Sequence, residues 1–204
     1  MKYLFAVAVA LLLLIHSNTQ AQTAAFGLSL SNNVTSFPVT GYPRLFYSQL
    51  HPGIEGFYDL KLNKNAKHGL WAGAQVGVFY HRFIQTGVRL YPAIRYVFTP
   101  VSRFSLRVGM GAGYLHSFEG YEVFEAAGNG TYEPKKVWKG RSQFLVAVSF
   151  GAAYSLKKDK PDGPTLFTEF RTYMQGPFVK SYVPLLPVNA FHAGISFPIT
   201  NKEQ

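Results

Sequence analysis

Cysteine is absent from the 204-residue chain. Small exported domains often rely on disulfides, so a chain without cysteine must obtain its stability in another way. The absence also excludes a paired-cysteine metal site and the cysteine-linked lipid anchor of a lipoprotein. No phosphate loop, dinucleotide fingerprint or nucleophile elbow is found in the sequence either. We therefore expect no metal and no cofactor, and a protein that is not an enzyme.

Acidic residues are scarce, with 10 Asp and Glu against 20 Lys and Arg, so the net charge is +10. A basic chain first suggests nucleic acid as a partner. The export signal described below and the scattered positions of the basic residues argue against nucleic acid. Headgroups of outer-membrane lipid and lipopolysaccharide are the alternative partners, and an ordinary excess of exposed lysine is a further explanation of the charge.

Long apolar runs are missing except at the start of the chain, where residues 4–15 are all apolar. A run of this length is too short for a membrane-spanning helix, which needs about 20 residues. Together with Lys2 before it and small residues around Ala21 after it, the run has the form of a signal peptide. We expect cleavage after Ala21, or a few residues later among the alanines at 24 and 25. Residues 22–204 then form one domain.

Instead of these features, the chain shows apolar residues that alternate with small or polar residues, with a period of two. Apolar side chains take the even positions of 104–114 and 144–156, and mostly small or polar residues take the odd ones. A strand sends two such sets to opposite faces, whereas a helix would mix them. Weaker versions recur along the chain. We predict eight strands, near residues 24–31, 53–62, 69–80, 84–98, 103–116, 142–156, 165–175 and 190–199.

The lengths of the connections between these strands also alternate. Those after the second, fourth and sixth strands are short, and those after the first, fifth and seventh are long; only the third breaks the alternation. This is typical of an outer-membrane barrel with short turns at one end and long loops at the other. A soluble barrel of lipocalin type also alternates, but here the face opposite the apolar one is rich in Gly, Ser and Ala, which suits a narrow lumen. We predict an all-β, eight-stranded antiparallel up-and-down transmembrane β-barrel.

The predicted lumen carries charges of both signs. They are Glu55, Asp59, Lys61, Arg89, Arg95, Arg107, Glu169 and Arg171. Unpaired charges in a low-dielectric interior are costly, so we expect ion pairs that plug the lumen; an ion path is the alternative. Pro92 lies inside the fourth strand without an N–H to donate, which predicts a bulge there, or else a shorter or broken strand.

Two further sets of residues are candidates for function. The long loops are apolar and contain Phe46, Tyr47, Trp138, Phe178 and Tyr182, which either bind an unknown protein partner or pack on each other and cap the mouth. A lipid-directed acyl-ester hydrolase is an alternative. In it His192 is the base, Ser196 the nucleophile and Glu169 the orienting acid.

This architecture resembles the small outer-membrane barrels of the OmpA-domain and OmpX type, and more specifically outer-membrane β-barrel proteins of Bacteroidetes. The C-terminal pattern of His192, Gly194, Phe197 and Ile199 is similar to the last-strand assembly signal of such barrels. It departs from that signal in having Ile199 instead of an aromatic residue and in continuing through residues 200–204.

The resemblance implies the bacterial outer membrane and recognition by the barrel-assembly machinery. We therefore expect a non-enzymatic barrel that is structural in the envelope or binds a partner or ligand through its extracellular loops. Besides the hydrolase, two hypotheses compete with this expectation. One is a narrow pore or carrier for a small ligand, and the second is a soluble periplasmic ligand-binding barrel.

Overall fold

The computed structural model describes residues 23–82, 84–119, 123–128, 130–135, 140–157, 163–178 and 184–199. The predicted signal peptide, residues 1–21, lies outside the described residues. The chain forms ten strands and one helix over these ranges. They are β1 (Ala24–Thr35), α1 (Pro38–Tyr47), β2 (Pro52–Lys61), β3 (His68–His81), β4 (Gln85–Val101), β5 (Phe104–Glu119), β6 (Val123–Ala126), β7 (Tyr132–Lys135), β8 (Arg141–Ser155), β9 (Thr165–Gly176) and β10 (Leu186–Ile199).

Eight of the strands close into one antiparallel barrel, in which the order around the barrel follows the chain from β1 to β5 and then from β8 to β10. β10 pairs with β1 from Ala24–Ile199 to Thr35–Val188, which closes the barrel. β6 and β7 form a separate two-stranded sheet. The predicted fold class is therefore confirmed, including the number of strands and their up-and-down order.

The two ends of the barrel differ, as predicted. β2, β4 and β8 end at one end of the barrel, which we call the turn end, and β3, β5 and β9 begin there; the chain also enters β1 and leaves β10 there. β1, β3, β5 and β9 end at the other end of the barrel, the loop end, and β2, β4, β8 and β10 begin there. In outer-membrane barrels the short turns face the periplasm and the longer loops face outward.

The apolar side chains of the alternating pattern point outward. Leu106, Val108 and Met110 on β5 are exposed, whereas Arg107 between them is buried. Aromatic side chains lie near both ends of this outer wall, for example Tyr80 at the loop end and Tyr154 at the turn end. An apolar outer wall flanked by aromatic residues is the surface that a transmembrane barrel presents to lipid. Among the described residues, no helix is long and apolar enough to span a membrane.

Two local predictions were wrong. The register of β4 against both neighbours is the same before and after Pro92, and only the pairing of residues 91–92 with β5 is missing. Pro92 therefore causes no bulge; the register shifts later, between Phe98 and Val101. The first loop is shorter than predicted because β1 extends to Thr35, and it contains α1.

Candidate functional site

The centre of the lumen is occupied by an ionic network built around Arg171 on β9. Its guanidinium forms ion pairs with Glu55 and, at 2.6 Å, with Glu169. It also donates to Gln75 Oε1 at 2.8 Å and to the Tyr91 hydroxyl at 2.7 Å. Because each of these groups points inward from a different part of the barrel, the contacts tie β2, β3, β4 and β9 together across the lumen.

Toward the turn end, the network continues through Glu169, which three arginines share. Besides Arg171, Glu169 Oε1 lies 3.3 Å from Arg107 Nε and 3.6 Å from Arg95 Nε. Arg95 also pairs with Asp59. All of these side chains are buried, so their charges interact with little screening by water.

The remaining two predicted lumen charges lie apart from these ion pairs. Arg89 donates to Asn33 Oδ1 at 3.1 Å, and its guanidinium lies 3.9 Å from the ring centre of Phe79 and 3.8 Å from that of Tyr173. Lys61 is only half-buried and lines a cavity at the turn end. The structure thus brings the other six predicted charges together and leaves Arg89 and Lys61 on either side of them.

Above the network, toward the loop end, apolar side chains fill the lumen. Leu115, Leu145 and Val188 are almost completely buried there and pack in one cluster with Phe79 and Tyr173. With the ionic network below them, these side chains occupy the interior along most of its length. This arrangement matches the small interior of an eight-stranded barrel, which is only wide enough for side chains.

Three polar members of the network were not predicted from the sequence. Tyr91, Tyr173 and Gln75 are buried, and both tyrosine hydroxyls donate to Glu55, at 3.1 to 3.3 Å. Tyr91 is two residues from Arg89, and Tyr173 is two residues from Arg171, so the period of two places both tyrosines in the lumen. Gln75 is likewise placed in the lumen by the alternation along β3. The alternation alone could therefore have identified these residues, although they carry no formal charge.

The predicted hydrolase triad is not assembled. His192 Nδ1 lies 3.1 Å from Ser29 Oγ and its Nε2 lies 3.2 Å from the Tyr173 hydroxyl, so both ring nitrogens have other partners. Ser196 is four residues farther along β10, roughly 13 Å away at the rise of an extended strand. The carboxylate of Glu169 faces arginines. No group of three or more potential metal ligands occurs in the described part of the chain.

The C-terminal motif lies on the strand that closes the barrel. Phe197 points outward and stacks on Phe26 of β1 with ring centres 5.1 Å apart. Ile199 is exposed at the turn end. Gly194 faces inward where any side chain would overlap the carbonyl of Leu28 and the ring of Phe167. Glycine in this motif therefore allows β10 to approach its neighbours closely.

α1 lies on the outer wall of the barrel, not across its mouth. Tyr42 packs against Phe150 and Phe170, with ring centres 5.6 and 5.1 Å apart, and Phe46 lies 5.6 Å from Phe191. These three wall residues are direct cross-strand neighbours on β8, β9 and β10. They point outward, because the residues that flank them, such as Arg171 and His192, point into the lumen.

Hydrogen bonds attach α1 and its flanking residues to polar groups on this wall. The Tyr42 hydroxyl lies 2.7 Å from Thr172 Oγ1, which donates to Asn189 Oδ1 at 2.8 Å. Asn189 Nδ2 in turn donates to the Ser36 carbonyl at 2.6 Å, and Asn32 Nδ2 donates to the Leu45 carbonyl at 2.8 Å. Thr172, Asn189 and Asn32 would otherwise be polar side chains on an apolar wall. The helix therefore completes the wall over β9, β10 and β1.

α1 and the residues just before and after it also expose large apolar side chains. Phe37 is 74% exposed, Phe46 67%, Tyr47 73% and Leu50 67%, and the charged Arg44 is exposed beside them. Phe46 and Tyr47 were predicted to form a loop interaction surface, and they do lie together on this helix. Hereafter we call these five residues the α1 surface.

Of the other predicted loop residues, only Phe178 is described. It packs against the apolar cluster at the loop end, and the Arg141 guanidinium lies 4.7 Å from its ring centre and donates to its carbonyl at 2.6 Å. Phe178 thus helps to cap the barrel instead of facing outward. Trp138 and Tyr182 lie outside the described residues.

No protein-family model matches the sequence, and no curated protein matches it. Solved structures do resemble the fold. Neisserial surface protein A is 10% identical and has a TM-score of 0.50, with 87% of this chain and 97% of that chain covered. The outer membrane enzyme PagL is 9% identical with a TM-score of 0.49, covering 86% and 99%. Ail, the attachment invasion locus protein of Yersinia pestis, in complex with the heparin analogue sucrose octasulfate, is 13% identical with a TM-score of 0.43, covering 89% and 100%.

At these identities the likeness concerns the fold alone. The similar proteins are outer-membrane β-barrels, and they include an enzyme and an attachment protein. A fold does not by itself determine an activity, so the function depends on the particular residues of this chain. The chain itself has the fold of an eight-stranded transmembrane β-barrel of the outer-membrane type.

Proposed function

We propose that the protein is a non-enzymatic, non-conducting barrel of the bacterial outer membrane that binds outer-leaflet lipid, including lipopolysaccharide, through the α1 surface. The observation that carries the proposal is the position of α1, which is seated on the outer wall with aromatic side chains facing away from the protein. Residues 1–21 serve as the cleaved signal peptide in this proposal. The barrel-assembly machinery recognises β10, as in the Bacteroidetes barrels that the sequence resembles.

The lipid is favoured over a protein as the partner because of what surrounds the helix. α1 lies against Phe150 on a wall that is apolar around the barrel, so the α1 surface continues the surface that lipid covers. Phe46, Tyr47 and Leu50 can enter the acyl-chain boundary, as the apolar face of an interfacial helix does. Arg44 can reach the phosphate groups above it, since long basic side chains extend toward headgroups.

The proposal excludes conduction because of how the lumen is filled. The ionic network and the apolar cluster at the loop end lie in series along the barrel axis. Water or ions could pass only if both were rearranged. If nothing passes through the lumen, the function of the protein in the envelope depends on its outer wall and on the loop end of the barrel.

The test is the depth of α1 in a bilayer, measured by quenching of tryptophan fluorescence with brominated lipids. Phe46→Trp is placed in a Trp71→Phe, Trp138→Phe background so that it is the only tryptophan. Val148→Trp, on the exposed outer wall, is the control for lipid contact, and Lys64→Trp, in an exposed turn, is the control for water. We expect quenching of Phe46→Trp by lipids brominated near the headgroup. Quenching no greater than that of Lys64→Trp would refute lipid binding by α1.

A further inference from the structure

A cavity opens at the turn end of the lumen. It lies between the ionic network and the turns, at the end of the barrel opposite the loop end. Its volume is about 220 Å³. The charged side chains that line it are Asp59, Lys61, Arg95, Arg103 and Arg107. Four positive groups therefore face one negative group, and that negative group is already paired with Arg95.

The shortage of negative charge extends to the network above the cavity. The barrel interior holds Arg89, Arg95, Arg107 and Arg171 against only Glu55, Asp59 and Glu169. One arginine is therefore left without a carboxylate of its own. Burying an uncompensated cation costs much more than burying a paired one, so such a site favours an anion.

That arginine is Arg89, which lies toward the loop end and donates to Asn33, away from the cavity. Of the two buried arginines that line the cavity, Arg95 is paired with Asp59, and Arg107 has the less complete pairing. Its contact with a carboxylate is through Nε, at 3.3 Å from Glu169 Oε1, and Glu169 is shared with Arg171 and Arg95. The guanidinium also lies 4.6 Å from the ring centre of Phe167. Its terminal N–H groups have no acceptor among the described residues, although Arg107 lines the cavity. A guanidinium with two free N–H groups in a partly enclosed site suits a phosphate oxygen pair.

The other lining groups add to this preference. Ser105 lines the cavity and can donate its hydroxyl, whereas the hydroxyls of Thr165 and Ser196 donate to the carbonyls of Gly163 and Thr165. Lys61 lies toward the opening. Arg103 is held elsewhere, because it donates to the carbonyls of Ser155 and Leu156. The cavity is smaller than the pockets of about 300–1,000 Å³ that hold drug-sized ligands. A small anion fits it better than a nucleotide or a lipid.

We propose that this cavity binds a small phosphate anion, either inorganic phosphate or a short phosphomonoester, that enters from the turn end. Arg107 binds the phosphate oxygens, Lys61 adds charge at the opening, and Ser105 donates a further hydrogen bond. The proposal is independent of lipid binding by α1, because α1 lies on the outer wall of the barrel and the cavity lies inside the lumen.

The test is a titration of the full chain, folded in zwitterionic detergent, at constant ionic strength. Trp71 lines the cavity and reports on it once Trp138→Phe has removed the other tryptophan. Inorganic phosphate and glycerol 3-phosphate are titrated separately, and isothermal titration calorimetry gives an independent dissociation constant. Saturable binding of at least one of the two supports the proposal, and the comparison shows which phosphate the cavity prefers.

Variants then assign the binding to the cavity. Lys61→Met should weaken it about fivefold, the effect of one partly exposed charge. Arg107→Met should weaken it about 10- to 100-fold, as expected for buried charge-assisted hydrogen bonds. Lys67→Met, in an exposed turn at the same end, is the matched control and should leave the affinity unchanged.

Two results would overturn the proposal. One is the absence of saturable binding of either phosphate by the wild-type protein. The other is equal weakening by Lys61→Met and Lys67→Met, which would mean that general surface charge attracts the anion. Because Arg107→Met alters the buried network, heat-modifiable migration on a gel checks that this variant is folded. If Arg107→Met does not fold, Lys61→Met still tests the site.

Discussion

Replacing Arg171 with methionine should destabilise the barrel by about 3 kcal/mol, because breaking a buried ion pair from one side typically costs 3–5 kcal/mol. The structure indicates where the cost arises. Glu169 keeps its contacts with Arg107 and Arg95, whereas Glu55 loses the guanidinium that it pairs with. The hydroxyls of Tyr91 and Tyr173 still donate to Glu55 and limit the loss to the lower part of the range.

A double-mutant cycle separates this charge effect from the loss of packing. Combining Arg171→Met with Glu55→Gln removes the unpaired carboxylate and leaves an amide that the two tyrosines can still bind. The double variant should cost about 1 kcal/mol, which is less than Arg171→Met alone. With the cost of Glu55→Gln alone also measured, the coupling between the two residues should be at least about 2 kcal/mol. Lys67→Met, in an exposed turn, is the control and should change stability by less than about 0.5 kcal/mol.

The assay is urea unfolding of the barrel from phospholipid vesicles, followed by tryptophan fluorescence and by heat-modifiable migration on a gel. The free energies of unfolding of the wild type and the variants are compared. The comparison requires that the slope of this free energy against urea concentration be the same for each protein. A cost below about 1 kcal/mol for Arg171→Met would refute the reasoning, since such a value is typical of exposed ion pairs. Additive effects in the double variant would show that Glu55 and Arg171 do not depend on each other.

Four further outcomes are expected. Tyr42→Phe removes the hydroxyl that bonds to Thr172 and should loosen α1 by about 1 kcal/mol, seen as faster proteolysis of the first loop with the barrel intact. Gly41→Val places a side chain into Asn189 and should release α1 more completely in the same assay. Gly194→Val overlaps the Leu28 carbonyl and should lower the yield of heat-modifiable barrel, whereas Ala193→Val, on the exposed face next to it, should not. Planar bilayers containing the wild-type protein should show no single-channel conductance, and steady openings would contradict the filled lumen.

The regular strands could be predicted from the sequence because one physical rule governs them. Lipid outside and a narrow lumen inside impose a period of two on β5 and β8, and the exposed Val108 and buried Arg107 follow it. The same rule identified the ion-pairing residues. The rule did not distinguish Lys61 from the residues that form ion pairs. Lys61 is two residues beyond Asp59 on the same face, but it lies too close to the turn end to join the network.

α1 could not be predicted, because its sequence has little tendency to form a helix. The segment Pro38–Tyr47 contains two prolines and a glycine, and Pro43 lies inside the helix. Its stability comes from contacts with Phe170, Phe191 and Asn189, which are far away in sequence. Pro92 illustrates a similar limit. A bulge was a local expectation, but pairing with β3 continues through Pro92 and maintains the register.

The position of α1 on the barrel wall has a consequence for the order of folding. Asn32 belongs to the first strand, and Thr172 and Asn189 belong to the last two. The helix follows β1 directly in the chain, yet the surface that receives it exists only after β9 and β10 have been added and β10 has paired with β1. Contacts between distant parts of a chain form late in folding. Docking of α1 is therefore a marker of completed closure, and a barrel arrested before its last strand is in place would leave this helix unseated and accessible to proteases.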